Sequence, residues 1–225
     1  MRSGRRVRLT ALAVASATVL AGCGMSPGSA ATVGSQTISR DEIDDVARAV
    51  CSANMVTSQA SGQAPPALPS RGAREVAMSI LLETELSQQF GEAKGVTPDP
   101  QQVAQAVAQN EQGLAMLPED QRAIFSETLR EYAEGQLMLI EIGRSELGPQ
   151  AGDDEALAEA AKLRAAYAEG IDVEVDPRFG SFTDGRFQPG GASLSVPASD
   201  RAVQGAEQQP GEEFVGGLPA TQLCS

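Results

Sequence analysis

Hydrophobic residues recur along most of this chain at the spacing of an amphipathic helix. From Ile43, apolar residues follow at positions i+3, i+4, i+7 and i+8, which places Cys51 on the apolar face of a first helix. Just before it, Ser39 and Glu42 have the spacing of a capping box, while Ile38 and Ile43 have that of a hydrophobic staple. The pattern therefore predicts a helix that starts at Ser39 and carries Cys51 near its end.

Helical spacing continues beyond this first helix. Residues 58–70, rich in Ser, Gly and Pro, are expected to form an exposed connector. Thr97 and Pro98 predict a helix start, with Thr97 as the N-cap and Pro98 at the first helical position. Apolar stripes predict a central helix over residues 71–94, the longest helix over 118–147 and a shorter helix over 153–170. The chain is thus predicted to be mainly α-helical.

A strand pattern is expected at two places, and residues 178–185 are interpreted as a turn or a small hairpin. Residues 171–175 alternate between Ile or Val and Asp or Glu, which predicts a half-buried strand after the last helix. Its expected partner is the early segment that contains Val33 and Ile38, so the two are predicted to form a small β pairing. From Gln188 onward, Gly, Pro, Ser, Ala, Gln and Glu dominate, a composition typical of a disordered, flexible tail.

The first 23 residues combine a basic start, an apolar run and a cysteine. Four arginines precede the apolar run 9–21, which is shorter than the roughly 20 residues that span a bilayer. The run ends in Leu20-Ala21-Gly22-Cys23, which resembles the lipobox of bacterial lipoproteins, in which the signal peptide is removed and the cysteine acylated. An ordinary signal peptide with a chance cysteine is the alternative. The expected organisation is a signal peptide, a tether, a helical domain and a flexible tail over residues 1–22, 23–31, 32–187 and 188–225.

Acylation of Cys23 would leave two cysteines in an oxidising compartment. A disulfide between Cys51 and Cys224 would close a loop over most of the mature chain. In the chain-entropy account, a loop of this length stabilises the fold by up to about 5 kcal/mol. Two separate thiols are the alternative.

Composition excludes several classes of function. The formal net charge of −13 is unsuited to nucleic acid and to a basic membrane-binding face. The chain contains no histidine, which removes Ser-His-Asp and Cys-His catalysis and most zinc sites. The sequence also has no phosphate-binding glycine loop between a strand and a helix. It therefore predicts no active site, no metal and no cofactor.

Three motifs occur in the order found in a known family. They are Val33-Gly34-Ser35-Gln36-Thr37-Ile38-Ser39 with Glu42, the helix exit Ala93-Lys94-Gly95-Val96-Thr97, and the stretch 129–142. Together they resemble the SurA/PrsA family of extracytoplasmic foldases over residues 31–147. The resemblance implies a helical chaperone domain that holds unfolded secreted chains in an apolar groove. Many such foldases also carry a parvulin prolyl-isomerase module with active-site histidines. This chain shows neither that module nor any histidine, so the resemblance does not imply isomerase activity.

These observations together predict a lipid-anchored holdase of SurA-like fold in the cell envelope, on the extracytoplasmic face of the membrane. Its expected partners are unfolded or nascent secreted polypeptides, and it would contact the membrane through its lipid anchor only. The predicted client groove consists of Ile80, Leu81, Phe125, Leu129, Tyr132 and Met138, each of which has an ordinary core role as the alternative. Competing functions are a structural or adaptor lipoprotein that binds one defined envelope partner, and a prolyl isomerase.

Overall fold

The structure, a computed structural model, describes residues 26–62, 67–190, 196–207 and 210–224. The helices are α1 Arg40–Ala60, α2 Ser70–Ala93, α3 Pro100–Ala108, α4 Glu111–Ala115, α5 Glu119–Leu147, α6 Asp153–Ala168, α7 Asp200–Ala206 and α8 Glu212–Gly216. The strands are β1 Ser29–Val33, β2 Gln36–Ser39, β3 Val173–Val175, β4 Gly180–Thr183 and β5 Arg186–Pro189. This architecture confirms the mainly helical prediction. The predicted signal peptide and Cys23 lie outside the described residues.

The start of α1 has the predicted capping box. The Ser39 hydroxyl accepts a hydrogen bond from the Glu42 amide at 3.1 Å, and the Ser39 amide donates to a Glu42 carboxylate oxygen at 3.4 Å. Ile38 and Ile43 are both buried, as a hydrophobic staple requires. The local sequence is therefore sufficient to fix where this helix begins.

The end of α1 lies beyond its predicted position. Ser58 stays helical and donates its hydroxyl to the Asn54 carbonyl one turn earlier, at 2.8 Å. This bond satisfies the hydroxyl within the helix, so a Ser-rich composition does not end it. The prediction of a connector from residue 58 was wrong by a few residues, because α1 continues to Ala60. Cys51 consequently lies in the middle of α1 rather than near its end.

A small antiparallel sheet has the strand order β2-β1-β3. Val33 of β1 lies opposite Val173 of β3, which confirms the predicted pairing between the early strand and the strand after the last long helix. β1 begins earlier than its pattern suggests, so residues 29–31, which were expected to belong to the tether, are part of the sheet. Ala30 and Ala31 are fully buried, and such small residues give no β signal in the sequence.

The segment after β3 connects the sheet to α1 through Asp176, whose role was not evident from the sequence. Asp176 is 7% exposed and accepts hydrogen bonds from Arg40 at 3.2 Å and from the Arg178 amide at 3.0 Å. The hydrogen bond from the Arg178 side chain holds the pKa of the Asp176 carboxyl below its ordinary value. The carboxylate therefore ties the end of the sheet to the first turn of α1. Beyond it, β4 and β5 form a hairpin whose turn residues Asp184 and Gly185 both have positive φ.

Helix α3 starts two residues later than predicted. Its N-cap is Asp99, whose side chain accepts from the Gln101 amide at 2.8 Å, and Pro100 occupies the first helical position. The prediction placed Asp99 inside the helix, but the following proline disfavours a helical conformation there, and Asp99 has φ −68° and ψ 118°. Thr97 and Pro98 remain outside the helix and form a short bridge from α2.

Helix α2 is buried on two sides and forms the centre of the domain. One side packs on α1 and the sheet, where the fully buried side chains include Met78 and Leu82. On the other side, Phe90 packs against Leu139 and Ile142 of α5, and its ring centroid lies 5.4 Å from that of Tyr167 in α6. The two clusters share one helix, so displacement of α2 would disturb both.

The C-terminal segment returns to the middle of the domain. The Cys224 amide donates to the Leu68 carbonyl at 2.8 Å, and the Cys51 and Cys224 Cα atoms lie 5.2 Å apart, a separation that fits a disulfide. The region expected to be a flexible tail contains the short helices α7 and α8. Arg71 of α2 donates to the Gly205 carbonyl of α7 at 2.7 Å. These contacts attach the described C-terminal residues to the start of α2.

Candidate functional site

An apolar cleft of about 610 Å³ lies between α3 and the middle of α5, and we call it the α3–α5 cleft. This volume is within the range of roughly 300–1,000 Å³ that is usual for ligand pockets. The cleft is open to solvent, because Ala104 and Ala108 on its α3 side are exposed. Its principal apolar lining residues are Pro98, Pro100, Val103, Ala104, Val107 and Met138.

The floor of the α3–α5 cleft depends on a close approach between α2 and α5. Met138 is 8% exposed and lies across Gly91 of α2, where a Cβ atom would be 2.3 Å from the Met138 sulfur. Val103 of α3 is also buried and completes the floor. A thioether is flexible and polarisable, so Met138 can adapt to side chains of different shape.

The rim of the α3–α5 cleft is acidic. Arg130 forms ion pairs with Glu127 and Glu134 and lies 4.0 Å from a Glu131 carboxylate oxygen. The hydrogen bond from Arg130 lowers the pKa of Glu127, whereas burial and then the Glu127 charge raise the pKa of Glu131. The lining itself contains the carboxylates of Glu111 and Glu134 and the single guanidinium of Arg130, which also pairs with Glu127 outside the lining. This part of the rim carries a net negative charge.

A second cavity of about 400 Å³ continues along α5. Thr97 and Pro98 line both cavities and form the wall between them. On α5 the second cavity is lined by Leu137, Ile140 and Glu141, so it is partly apolar with an acidic group at its edge. Because α5 lines both cavities, a bound polypeptide that crosses over Thr97 and Pro98 could contact the two cavities at once.

A third cavity, of about 370 Å³, lies where the C-terminal segment meets α1 and α2. Cys51 and Cys224 line it, together with Asp44 and Arg74, which form an ion pair at 2.5 Å. Charged groups that are already paired with each other offer little to an apolar ligand. We therefore take the α3–α5 cleft as the candidate site.

The structure distributes the six predicted groove residues over several environments. Met138 lines the α3–α5 cleft, whereas Leu81 is 6% exposed and belongs to the core with α1 and the sheet. Tyr132 is 37% exposed. The cleft begins at Arg130 on α5, and the predicted residues that do not line it are Ile80, Leu81, Phe125, Leu129 and Tyr132.

Sequence reasoning did not assign the α3 side of the cleft to a site. Val103 and Val107 have helical spacing, but the many glutamines around them leave only a thin apolar face in the sequence. Ala104 and Ala108 leave the cleft open because their side chains are small. Small residues on an exposed helix face have no distinctive pattern, so nothing in the sequence could have identified them.

The described residues contain neither a metal-binding cluster nor a helix suited to span a membrane. In this part of the chain, no group of three or more Cys, Asp or Glu residues is placed to hold a metal ion. Among the same residues, no helix combines the length and the apolar character needed to cross a membrane.

The described part of the chain is thus a mainly helical domain with an open apolar cleft. Comparison with known protein families matches residues 2–136 to the SurA-like N-terminal domain, which is more than half of the chain, and the chain therefore belongs to this family. The match includes all of α3 and the α5 residues Arg130 and Glu134. This family domain is of the chaperone type and is not a catalytic domain. The comparison identified no parvulin domain, and no curated protein or solved structure matches the chain.

Proposed function

We propose that the protein is a lipid-anchored holdase that binds unfolded secreted polypeptides on the extracytoplasmic side of the membrane. The observation that carries this proposal is the α3–α5 cleft, an open apolar surface in a chain that belongs to a chaperone-type family. Clients would bind without covalent chemistry, by transfer of apolar side chains from water into the cleft.

Weak contacts of this kind suit a holdase. Burial of one Leu or Phe side chain contributes about 1.5–3 kcal/mol, which alone corresponds to a dissociation constant above roughly 1 mM. Useful affinity therefore requires several contacts from one client, and the second cavity beyond Pro98 would supply some of them. Such binding is reversible, so a client would be released once it buries its own apolar residues.

The proposal includes the absence of prolyl isomerase activity. The chain contains no histidine, whereas the isomerase module of related foldases uses active-site histidines. In an assay with a proline-containing peptide, we expect isomerisation at the uncatalysed rate. Turnover that rises with protein concentration would overturn this part of the proposal.

Light scattering tests the holdase function. The experiment uses residues 24–225, the predicted mature chain without its acylated cysteine, with a reduced model protein that aggregates as it unfolds. We expect aggregation to be suppressed at near-stoichiometric amounts. The double variant Ala104→Gln/Ala108→Gln adds uncharged polar groups to the α3–α5 cleft and should weaken suppression, with far-UV circular dichroism unchanged.

A matched control separates the cleft from the general helix surface. Ala158 and Ala166 are exposed alanines of α6 that lie away from the cleft, so Ala158→Gln/Ala166→Gln should leave suppression unchanged. Equal losses in both double variants would show that the cleft is not the client site. No suppression by the unaltered chain would favour an adaptor lipoprotein with one defined partner over a holdase.

The lipid anchor is tested separately through Cys23. We expect the full chain, produced in a bacterial host and labelled with an alkyne fatty acid, to carry the label and to fractionate with membranes. Cys23→Ser should abolish both properties. A labelled Cys23→Ser chain, or an unlabelled parent, would contradict anchoring at this residue.

A further inference from the structure

The α3–α5 cleft combines an apolar floor with an uncompensated acidic rim. Among the described residues, Glu111 forms no ion pair with a basic side chain, and the single guanidinium of Arg130 is shared by three carboxylates. Around the second cavity, Arg144 pairs with Asp153, which leaves the charge of Glu141 without a basic partner in the same part of the chain. Both cavities therefore have an apolar interior and a negative edge.

Charge complementarity of this kind selects a particular client chemistry. We propose that the α3–α5 cleft binds segments of unfolded polypeptide in which a few apolar residues are flanked by Lys or Arg. This inference rests on the proposed holdase function and names its preferred client. The apolar side chains would occupy the cleft between Val103, Val107 and Met138. A flanking cation would lie near Glu111 or Glu134.

The geometry fits an extended segment of short length. From Arg130 to Glu141, α5 advances about 16 Å at 1.5 Å per residue, a distance that about five residues of extended chain cover. Lys and Arg have long apolar stems, so they can lie along the cleft wall and still reach the rim with their charged groups. An acidic flank would meet like charges at the same positions and would bind more weakly.

Binding of labelled peptides tests the preference. Three peptides share one apolar core of Leu and Phe and differ only in their flanks, which are Lys, Glu or Ser, and fluorescence anisotropy is measured with residues 24–225 at low ionic strength. We expect the Lys-flanked peptide to bind about tenfold more tightly than the Glu-flanked one. This ratio should shrink towards one at about 0.5 M salt, because salt screens charges at an exposed rim.

A local effect must be separated from the acidity of the whole chain. Glu111 and Glu155 both lie exposed in the first turn of a helix, and only Glu111 lines the cleft. Glu111→Gln should therefore reduce the Lys-to-Glu binding ratio by about two- to fivefold, the effect expected for one exposed charge pair, whereas Glu155→Gln should leave it unchanged. Equal effects of the two substitutions would overturn the inference, since the preference would then come from the net charge alone.

The result also separates this inference from the holdase proposal. If the three peptides bind equally, or do not bind, while aggregation is still suppressed, the client preference is wrong and the holdase function stands. If the unaltered chain fails to suppress aggregation, the proposed function fails and this inference fails with it.

Discussion

Met138 and Gly91 are in direct contact where α5 crosses α2. A Cβ atom at Gly91 would lie 2.3 Å from the Met138 sulfur and 3.0 Å from its Cβ atom, so Met138 would have to move to accommodate it. The absence of a side chain at Gly91 thus lets α5 approach α2 closely. It also determines how far Met138 projects from α5, and therefore the depth of the α3–α5 cleft.

We expect Gly91→Ala to destabilise the domain by about 1–3 kcal/mol, because the added methyl overpacks the contact with Met138. Urea unfolding followed by circular dichroism measures the change. Gly113→Ala is the matched control, since Gly113 is also helical and a Cβ atom there meets nothing within 4 Å. The control should be neutral or stabilising by up to about 1 kcal/mol, as a helical Gly-to-Ala change in open space usually is.

A double variant checks the cause of that loss. Met138→Ala removes the atoms that the new methyl would strike, so Gly91→Ala should cost less in the Met138→Ala background than in the parent. A cost that is the same in both backgrounds would show that the contact between these two residues does not determine the effect.

Gly143→Ala should be at least as destabilising as Gly91→Ala. A Cβ atom at Gly143 would lie 2.0 Å from the backbone oxygen of Ala156 in α6. Met138 can rotate away from a new methyl, whereas a helix backbone must move as a unit, so α5 and α6 would have to separate. Thermal unfolding measures the loss, and a melting temperature equal to that of the parent would contradict this account of the α5–α6 contact.

The sequence predicts features that depend on local chemistry. Ser39 and Glu42 fix the start of α1, because a capping box needs only four consecutive residues. The alternation in 171–175 likewise predicts β3 from consecutive residues alone. The start of α3 was misplaced only because two Xaa-Pro pairs compete, and the effect of Pro100 on Asp99 decides between them.

The site was harder to predict because it depends on contacts between distant segments. Nothing near Leu81 in the sequence shows that the sheet and α1 cover it, so its apolar character alone suggested a groove role. Conversely, Ala104 gives no signal of a cleft until α5 is placed opposite α3. Met138 was predicted as a groove residue and lines the α3–α5 cleft, but only the contact with Gly91 explains where it lies.

The Cys51–Cys224 disulfide is tested by counting thiols. Under denaturing, non-reducing conditions, residues 24–225 should show no free thiol, and the same sample after reduction should show two. The double variant Cys51→Ser/Cys224→Ser should unfold at lower urea, with a loss of up to about 5 kcal/mol because the unfolded chain is no longer cross-linked. Two free thiols before reduction would exclude the bond.

Asp176→Asn should destabilise the domain in a pH-dependent way. Arg178 lowers the pKa of Asp176 below its ordinary value of 3.8, so the folded state prefers the charged carboxylate. Its contribution to stability is therefore fully present above the unfolded pKa and is lost as the pH falls through the folded pKa. At pH 7 we expect a loss of about 1–3 kcal/mol, because the carboxylate accepts charge-assisted hydrogen bonds from Arg40 and Arg178.

Urea unfolding of parent and variant between pH 7 and pH 3 measures this dependence. The difference between them should be constant down to about pH 5 and should then decrease, because protonation removes the charge of Asp176 in the parent as well. Asp172→Asn is the control, since Asp172 is exposed and immediately precedes the same strand. A difference that stays constant down to pH 3 would show that the Asp176 charge does not tie the sheet to α1, and that the side chain acts through its shape alone.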